Sequence, residues 1–211
     1  MIKVDSNLFI RIISSFLLFL FFAFFFFFYI DSIKYLVTFL YLLILIEIIL
    51  YFKKNYKLFF LITYVLFSFI LIQLYFLNYF QKEIFILWII IISFFDIISY
   101  LFGSMFGKKR ILPKISPNKT YLGFIFGFFI TIFSSLIYNF YIPVMETLNL
   151  IIFVIIIILS GFVGDIVESI FKRLSGIKNS SNLIPGHGGF FDRFDSYIGS
   201  AYLIFLFSYL F

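Results

Sequence analysis

The sequence contains no cysteine, which excludes disulfides, cysteine-ligated zinc and thiolate nucleophiles. It is also poor in charge. Only 12% of its 211 residues are Asp, Glu, Lys or Arg, and 64% are apolar, where a soluble domain carries about a quarter charged and about half apolar. That leaves too little polar side chain to cover a water-facing surface, and a bilayer is the solvent that fits. No Pro/Gly/Ser-rich linker divides the chain, so it is expected to form a single integral membrane domain over 1–211. The net charge is +6, yet no basic stripe interleaved with aromatics lies outside the apolar runs, so no nucleic-acid partner is expected.

What the chain has in abundance is apolar length. Seven segments are long enough, or nearly so, to cross a membrane as helices of roughly 20 residues: about 8–30, 35–52, 58–80, 84–102, 121–142, 148–164 and the short 197–211. The first, with its phenylalanine run "FFAFFFFFYI", is too long for a signal-peptide core, and no small-residue cleavage site follows it; the run reads as lipid-facing filler. The expected fold is therefore all-α, a polytopic membrane protein of about seven transmembrane helices. Fourteen of the sixteen Lys and Arg residues fall in the N-terminal arm and the second, fourth and sixth gaps, leaving only Lys34 and Lys82 between. The positive-inside bias then puts the N-terminus in the cytoplasm and the two longest polar gaps on that same face.

Three stretches interrupt the apolar pattern, all within the second half, 93–211; residues 1–92 hold spans without motifs. In "FFDIISYLFGSMFGKKR" (94–110) Asp96 lies inside the fourth span, and a carboxylate in a span is a functional candidate by default. Glu47 in the second span follows the same logic with no motif around it. In "ISPNKTYLGFIFG" (115–127) Pro117 ends one segment, Ser116 or Asn118 is placed to cap the helix that follows, and Lys119 and Thr120 in its first turn would make an anion site. Gly103 with Gly107, and Gly123 with Gly127, form G-x-x-x-G pairs that let membrane helices approach closely, which also makes a homodimer through such faces plausible.

The third stretch is the richest: "GFVGDIVESIFKRLSGIKNSSNLIPGHGGFFDRFDS" (161–196). On a helix over 164–174, Asp165, Glu168, Ser169 and Lys172 share one face at i, i+3, i+4 and i+7. Gly186, Gly188 and Gly189 permit a backbone that brings N–H groups close to phosphate oxygens. Asp192 and Asp195 offer hard oxygen ligands suited to Mg²⁺, and Lys172, Arg173, Lys178 and Arg193 supply cations for phosphates. His187, alone of its kind in the chain, sits between glycines just before the D-R-x-D motif. Carboxylates, cations and a glycine turn at one membrane face suit phosphoryl or nucleotidyl transfer, where positioning and charge neutralisation carry the rate.

"SIFKRLSGIK" (169–178) followed by "LIPGHGGFFDRFDS" (183–196), extended by "GDIVES" (164–169), "SPNKT" (116–120) and "DIISYLFG" (96–103), resembles the signature of phosphatidate cytidylyltransferases, also called CDP-diacylglycerol synthases. The resemblance covers roughly residues 93–200. It implies condensation of CTP with phosphatidic acid to CDP-diacylglycerol and pyrophosphate, for phospholipid synthesis. It implies Mg²⁺, with K⁺ allowed at one position, the metals being held by Asp165 and Asp192. It further implies catalytic roles for Lys172, Arg173 and His187, and substrate contacts from Asp96, Ser116, Lys119, Thr120, Glu168, Ser169, Lys178, Gly186, Gly188, Gly189, Arg193 and Asp195. The expected location is a bacterial inner membrane, with the active site on the cytoplasmic face. Two positions depart from the pattern: Asn179 stands where the family has Asp, and Leu122 where it has Glu. Two alternatives stay open, cytidylyl transfer to another lipid phosphate and a non-catalytic membrane paralogue or transporter. No internal repeat supports the latter.

Overall fold

The structure is a computed structural model that describes residues 32–184 and 188–210, with Leu20 and Phe24. The expected first span, 8–30, and with it Lys3 and Arg11, lies outside the described residues, as do Gly186 and His187. Among the described residues six long helices and one small hairpin follow in order: α1 (Ile33–Tyr51), α2 (Tyr56–Asn78), α3 (Lys82–Phe106), β1 (Arg110–Leu112), β2 (Ser116–Thr120), α4 (Tyr121–Tyr141), α5 (Thr147–Leu174) and α6 (Phe191–Leu210). Of these, α1 to α5 are long and apolar enough to cross a membrane. In lipid every backbone N–H and C=O must find its partner within the chain, which is why apolar runs of this length have no alternative to the helix. Their outward faces carry Phe59, Phe60, Phe129, Phe133 and Phe140, all exposed, as lipid-facing side chains are. α5 has 28 residues, about 42 Å at the helical rise of about 1.5 Å per residue. That exceeds the hydrocarbon thickness of about 30 Å, so its polar C-terminal turns extend beyond the apolar layer.

The chain forms two compact units. In the first, residues 1–69 and 171–194, Asn55 starts α2: its Oδ1 accepts from the Lys57 and Leu58 amides at 3.0 and 3.3 Å. Tyr41 and Ser68 share a buried hydrogen bond of 2.7 Å, the Phe52 and Phe191 rings lie 6.0 Å apart, and Ile48, Leu61 and Val65 are fully buried. The C-terminus of α5 closes on Gly176, whose φ of +73° is the left-handed position a side chain would resist. The Gly176 amide donates to Arg173 O at 3.1 Å and the Ile177 amide to Lys172 O at 3.0 Å, the two bonds of a Schellman closure.

In the second unit, residues 70–170 and 195–211, α3 packs on α4 across glycines. A Cβ on Gly123 would collide with Ser99 O, and one on Gly127 with Ser99 Oγ; the G-x-x-x-G expectation holds as packing between these two helices. Phe95, Phe124 and Phe162 close the seam in edge-to-face contacts of 5.6 and 4.9 Å. α6 is fixed by polar bonds as well: Trp88 Nε1 donates to Ser200 Oγ at 2.9 Å, and Ser93 pairs with Tyr197 at 2.8 Å. Phe153 meets Phe207 at 4.7 Å.

Two local expectations are corrected. Residues 110–120 form an antiparallel hairpin with Arg110 opposite Thr120 and Leu112 opposite Ser116, in which Pro117 is part of a strand. The cap of α4 is Thr120, whose hydroxyl accepts from the Gly123 amide at 3.1 Å, so neither Ser116 nor Asn118 caps the helix, and Lys119 and Thr120 precede its first turn. Second, α6 begins at Phe191, six residues before the apolar run that marked its start. Asp192 and Asp195 are therefore helical residues, not loop residues.

Candidate active site

The second unit gathers carboxylates at one place. Asp165 and Glu168 lie one turn apart near the end of α5, and Asp195 sits in α6. One ligand oxygen from each of the three lies within 4.8 Å of the others. The crossing of α5 and α6 explains this closeness. A Cβ on Gly199 would stand 2.6 Å from both Gly164 Cα and Ser160 O, and one on Gly164 would press on the Asp195 carbonyl, so the backbones touch where the acids project. Ser169 Oγ donates to Asp165 Oδ1 at 3.4 Å, and the Ser196 amide to Asp195 Oδ1 at 2.8 Å. Asp96 of α3 joins them, with Ser196 beside its carboxylate and Asp165 within electrostatic range.

Lys119 is a cation that faces this group. Its Nζ lies 2.7 Å from Asp165 Oδ2 and 4.2 Å above the Phe162 ring, a contact that holds an ammonium over the negative face of an aromatic. At an effective dielectric constant of about 20, two like charges about 4.8 Å apart repel by about 3.5 kcal/mol. A set of hard carboxylate oxygens as close as these suits a hard divalent cation such as Mg²⁺.

The first unit centres on Asp192. Lys172 Nζ donates to its Oδ1 at 2.7 Å. Its Oδ2 accepts from the Ser180 amide at 2.9 Å, the Ser180 hydroxyl at 2.8 Å and the Gly189 amide at 2.9 Å. The turn that aims the last of these rests on Gly188, at φ +87°, where a Cβ would strike the Asp192 carboxylate; Ile184 N donates to Gly188 O at 2.8 Å to close it. Arg173 donates to Ile177 O at 3.1 Å and is exposed, as are Lys178 and Arg193.

The residues proposed from sequence thus fall into two sets. Asp96, Lys119, Asp165, Glu168, Ser169 and Asp195 assemble in the second unit. Lys172, Gly188, Gly189 and Asp192 assemble in the first, where Arg173, Lys178 and Arg193 also lie. Thr120 spends its hydroxyl on the α4 cap, and Ser116 lies on β2 opposite Leu112. A residue that the motifs did not mark is Glu47. Its Oε2 accepts from the Phe190 and Phe191 amides at 2.8 and 3.3 Å, at the start of the helix that carries Asp192. The only signal for it in the sequence is a carboxylate inside an apolar run.

These helices and their polar ends define an all-α polytopic membrane protein. Residues 2–211 match the family described as the cytidylyltransferase family, and the chain belongs to it. A phosphatidate cytidylyltransferase of Staphylococcus aureus (strain COL) is 45% identical over 101 residues, covering 47% of this chain and 39% of that protein. One from Staphylococcus haemolyticus is 43% identical over the same length and shares. The protein YnbB of Escherichia coli K12 is 41% identical over 112 residues, covering 53% of this chain and 38% of its own. The chain spans about two fifths of the length of the curated relatives it matches.

Proposed function

We propose that the chain is a CTP:phosphatidate cytidylyltransferase producing CDP-diacylglycerol. The observation that carries this reading is the convergence of Asp165, Glu168 and Asp195 within 4.8 Å at the polar end of a membrane helix, in a chain related to proteins named phosphatidate cytidylyltransferase.

The donor set fits Mg²⁺, because the three side chains offer carboxylate oxygens and no nitrogen or sulfur. Asp165, with Glu168 and Asp195, would hold one ion; Asp192, the second metal aspartate implied by the resemblance, would offer Oδ1. K⁺ in place of one Mg²⁺ belongs to the same reading. Bound there, the divalent ion supplies neutralisation of phosphate charge as it develops.

The remaining work falls to the chain. A phosphate oxygen of phosphatidate attacks the α-phosphorus of CTP in line; that P–O bond forms as the bond to the bridging α–β oxygen breaks, and pyrophosphate leaves with the electron pair. Lys172, Arg173, Lys178 and Arg193 balance the triphosphate and the leaving group. Lys119, with Ser116 and Thr120 beside it, takes the lipid phosphate. A phosphate monoester is already largely ionised at neutral pH, so His187 serves as an orienting donor and no strong base is required. Asp96, within α3, marks where the lipid reaches the site from between helices. The active site faces the cytoplasm of a bacterial inner membrane, with the N-terminus on the same side, and the chain works alone or as a homodimer.

The test is product formation by the purified chain in lipid nanodiscs from radiolabelled CTP and phosphatidic acid. CDP-diacylglycerol is expected, abolished by EDTA and restored by Mg²⁺. No product from folded protein across a Mg²⁺ and K⁺ titration would overturn the assignment, and a stronger signal with another lipid phosphate in competition would move it to that substrate.

A further inference from the structure

Glu47 is a fully buried acid of the spans that the proposed mechanism leaves unused. It is fully buried on α1 between Ile44 and Ile48, where an ionisable group is retained only for a purpose. Its carboxylate is spent on backbone: Oε2 takes the Phe190 and Phe191 amides, two of the donors that the N-terminus of α6 leaves without helical partners. Its other oxygen lies where a Cβ on Gly189 would have to go, beside Ser180 Oγ. Gly189 and Ser180 are in turn the two residues whose N–H and hydroxyl groups hold Asp192 Oδ2. Glu47 and Asp192 therefore grip the same short turn from opposite ends, 145 positions apart in the chain.

We propose that Glu47 is a positioning residue for Asp192: it anchors the 189–191 turn so that Oδ2 stays saturated and Oδ1 alone is presented to Lys172 and to the metal. This rests on the reading of Asp192 as a metal carboxylate. Residues that orient a metal ligand typically change metal affinity by about 10- to 100-fold when removed, and that range is the effect to look for.

The experiment uses the full chain in nanodiscs and compares Glu47→Leu, of similar shape with no acceptor, with Glu47→Gln, which keeps an oxygen for the two amides. Amide exchange across 189–192, read without substrate, is expected to rise in Glu47→Leu and to stay near wild type in Glu47→Gln. In the product assay the Mg²⁺ concentration for half-maximal rate is expected to rise about tenfold or more in Glu47→Leu, with the KM for CTP at saturating Mg²⁺ unchanged and most of the loss recovered in Glu47→Gln. A merely structural acid would lower the yield of folded protein without moving the Mg²⁺ requirement of what remains. If Glu47→Leu does not fold, Glu47→Met, which likewise offers no carboxylate oxygen, is read in the same two assays with the same expectation. Wild-type exchange at the turn, or a wild-type Mg²⁺ requirement, in whichever of Glu47→Leu and its substitute folds overturns the proposal. If the wild type makes no product, the functional reading falls, and the exchange measurement still decides whether Glu47 holds the turn.

Discussion

Asp165 shows how much one side chain is asked to do. It is paired to Lys119 at 2.7 Å, touched by Ser169, and set against two further carboxylates. Asp165→Asn keeps the shape and one acceptor oxygen while deleting the charge and the second acceptor. Its expected outcome is a folded protein with product formation reduced by about 10²- to 10³-fold, the scale on which charge-stabilising groups act; near-normal turnover would remove Asp165 from the site. Two glycines make a sharper pair. Gly176 and Gly188 both have positive φ, at +73° and +87°, but a Cβ at Gly176 meets nothing within 4 Å, whereas one at Gly188 strikes Asp192. Gly176→Ala is expected to cost only backbone strain, about 1–2 kcal/mol, and to leave turnover intact. Gly188→Ala carries the same strain and is expected to lose activity as well. Comparing melting temperature and rate for the two variants checks this, and equal rates would show that the carboxylate tolerates displacement.

At the scale of elements, the apolar runs announced their helices, because a single run of this length can pair its backbone within itself in lipid only as a helix. The runs at 35–52, 58–80, 84–102 and 121–142 became α1 to α4 with ends shifted by a few residues. Polar ends were harder to read. α6 starts at Phe191 although its apolar run starts at 197, because Asp192 and Glu47 supply acceptors for the amides at its N-terminus, and one of these comes from a helix 143 residues away. The carboxylates of 161–196 were legible from their types and spacing. Their partition was not: Asp195 joins Asp165 while Asp192 joins Lys172 and Ser180, a choice set by tertiary packing. The crossing of α5 and α6 carries the first of these pairings. A Cβ at Gly199 would stand 2.6 Å from the Gly164 backbone, which cannot give way as a flexible side chain can. Gly199→Ala is therefore expected to part the helices and destabilise the protein by about 1–3 kcal/mol. For a chain of this size each kcal/mol is worth about 2–4 °C of melting temperature. The Mg²⁺ requirement should rise with it, since Asp195 is carried away from Asp165. Unchanged melting and an unchanged Mg²⁺ titration would show that the crossing is looser than its geometry.

For the whole molecule, the distribution of charge makes a claim that function depends on. Basic residues crowd the 53–57 segment where α2 begins, the 107–120 segment and the 172–193 segment, whereas Lys34 and Lys82 are the cations that fall between. If α2, α3, α4 and α5 each cross the membrane, the residues before α2, between α3 and α4 and after α5 share one face, and the positive-inside bias makes that face cytoplasmic. CTP is a cytoplasmic solute, so the carboxylates and cations at the end of α5 must open there for the proposed reaction to run. The absence of cysteine makes this directly testable, because every introduced thiol is unique. Lys54→Cys and Lys114→Cys are expected to react with a membrane-impermeant maleimide only when the cytoplasmic face is accessible. Gln81→Cys and Glu146→Cys are expected to react only from the opposite side. The residues are exposed and lie outside the proposed site, so labelling reports sidedness and not damage. If Lys114→Cys and Gln81→Cys label from the same side, α3 does not cross, and the 107–120 segment with Lys119 would face away from the nucleotide. If the four sites alternate but with the opposite sense, the helices cross as described while the carboxylates face away from the cytoplasmic pool of CTP, and the cytidylyltransferase assignment could not stand in that membrane.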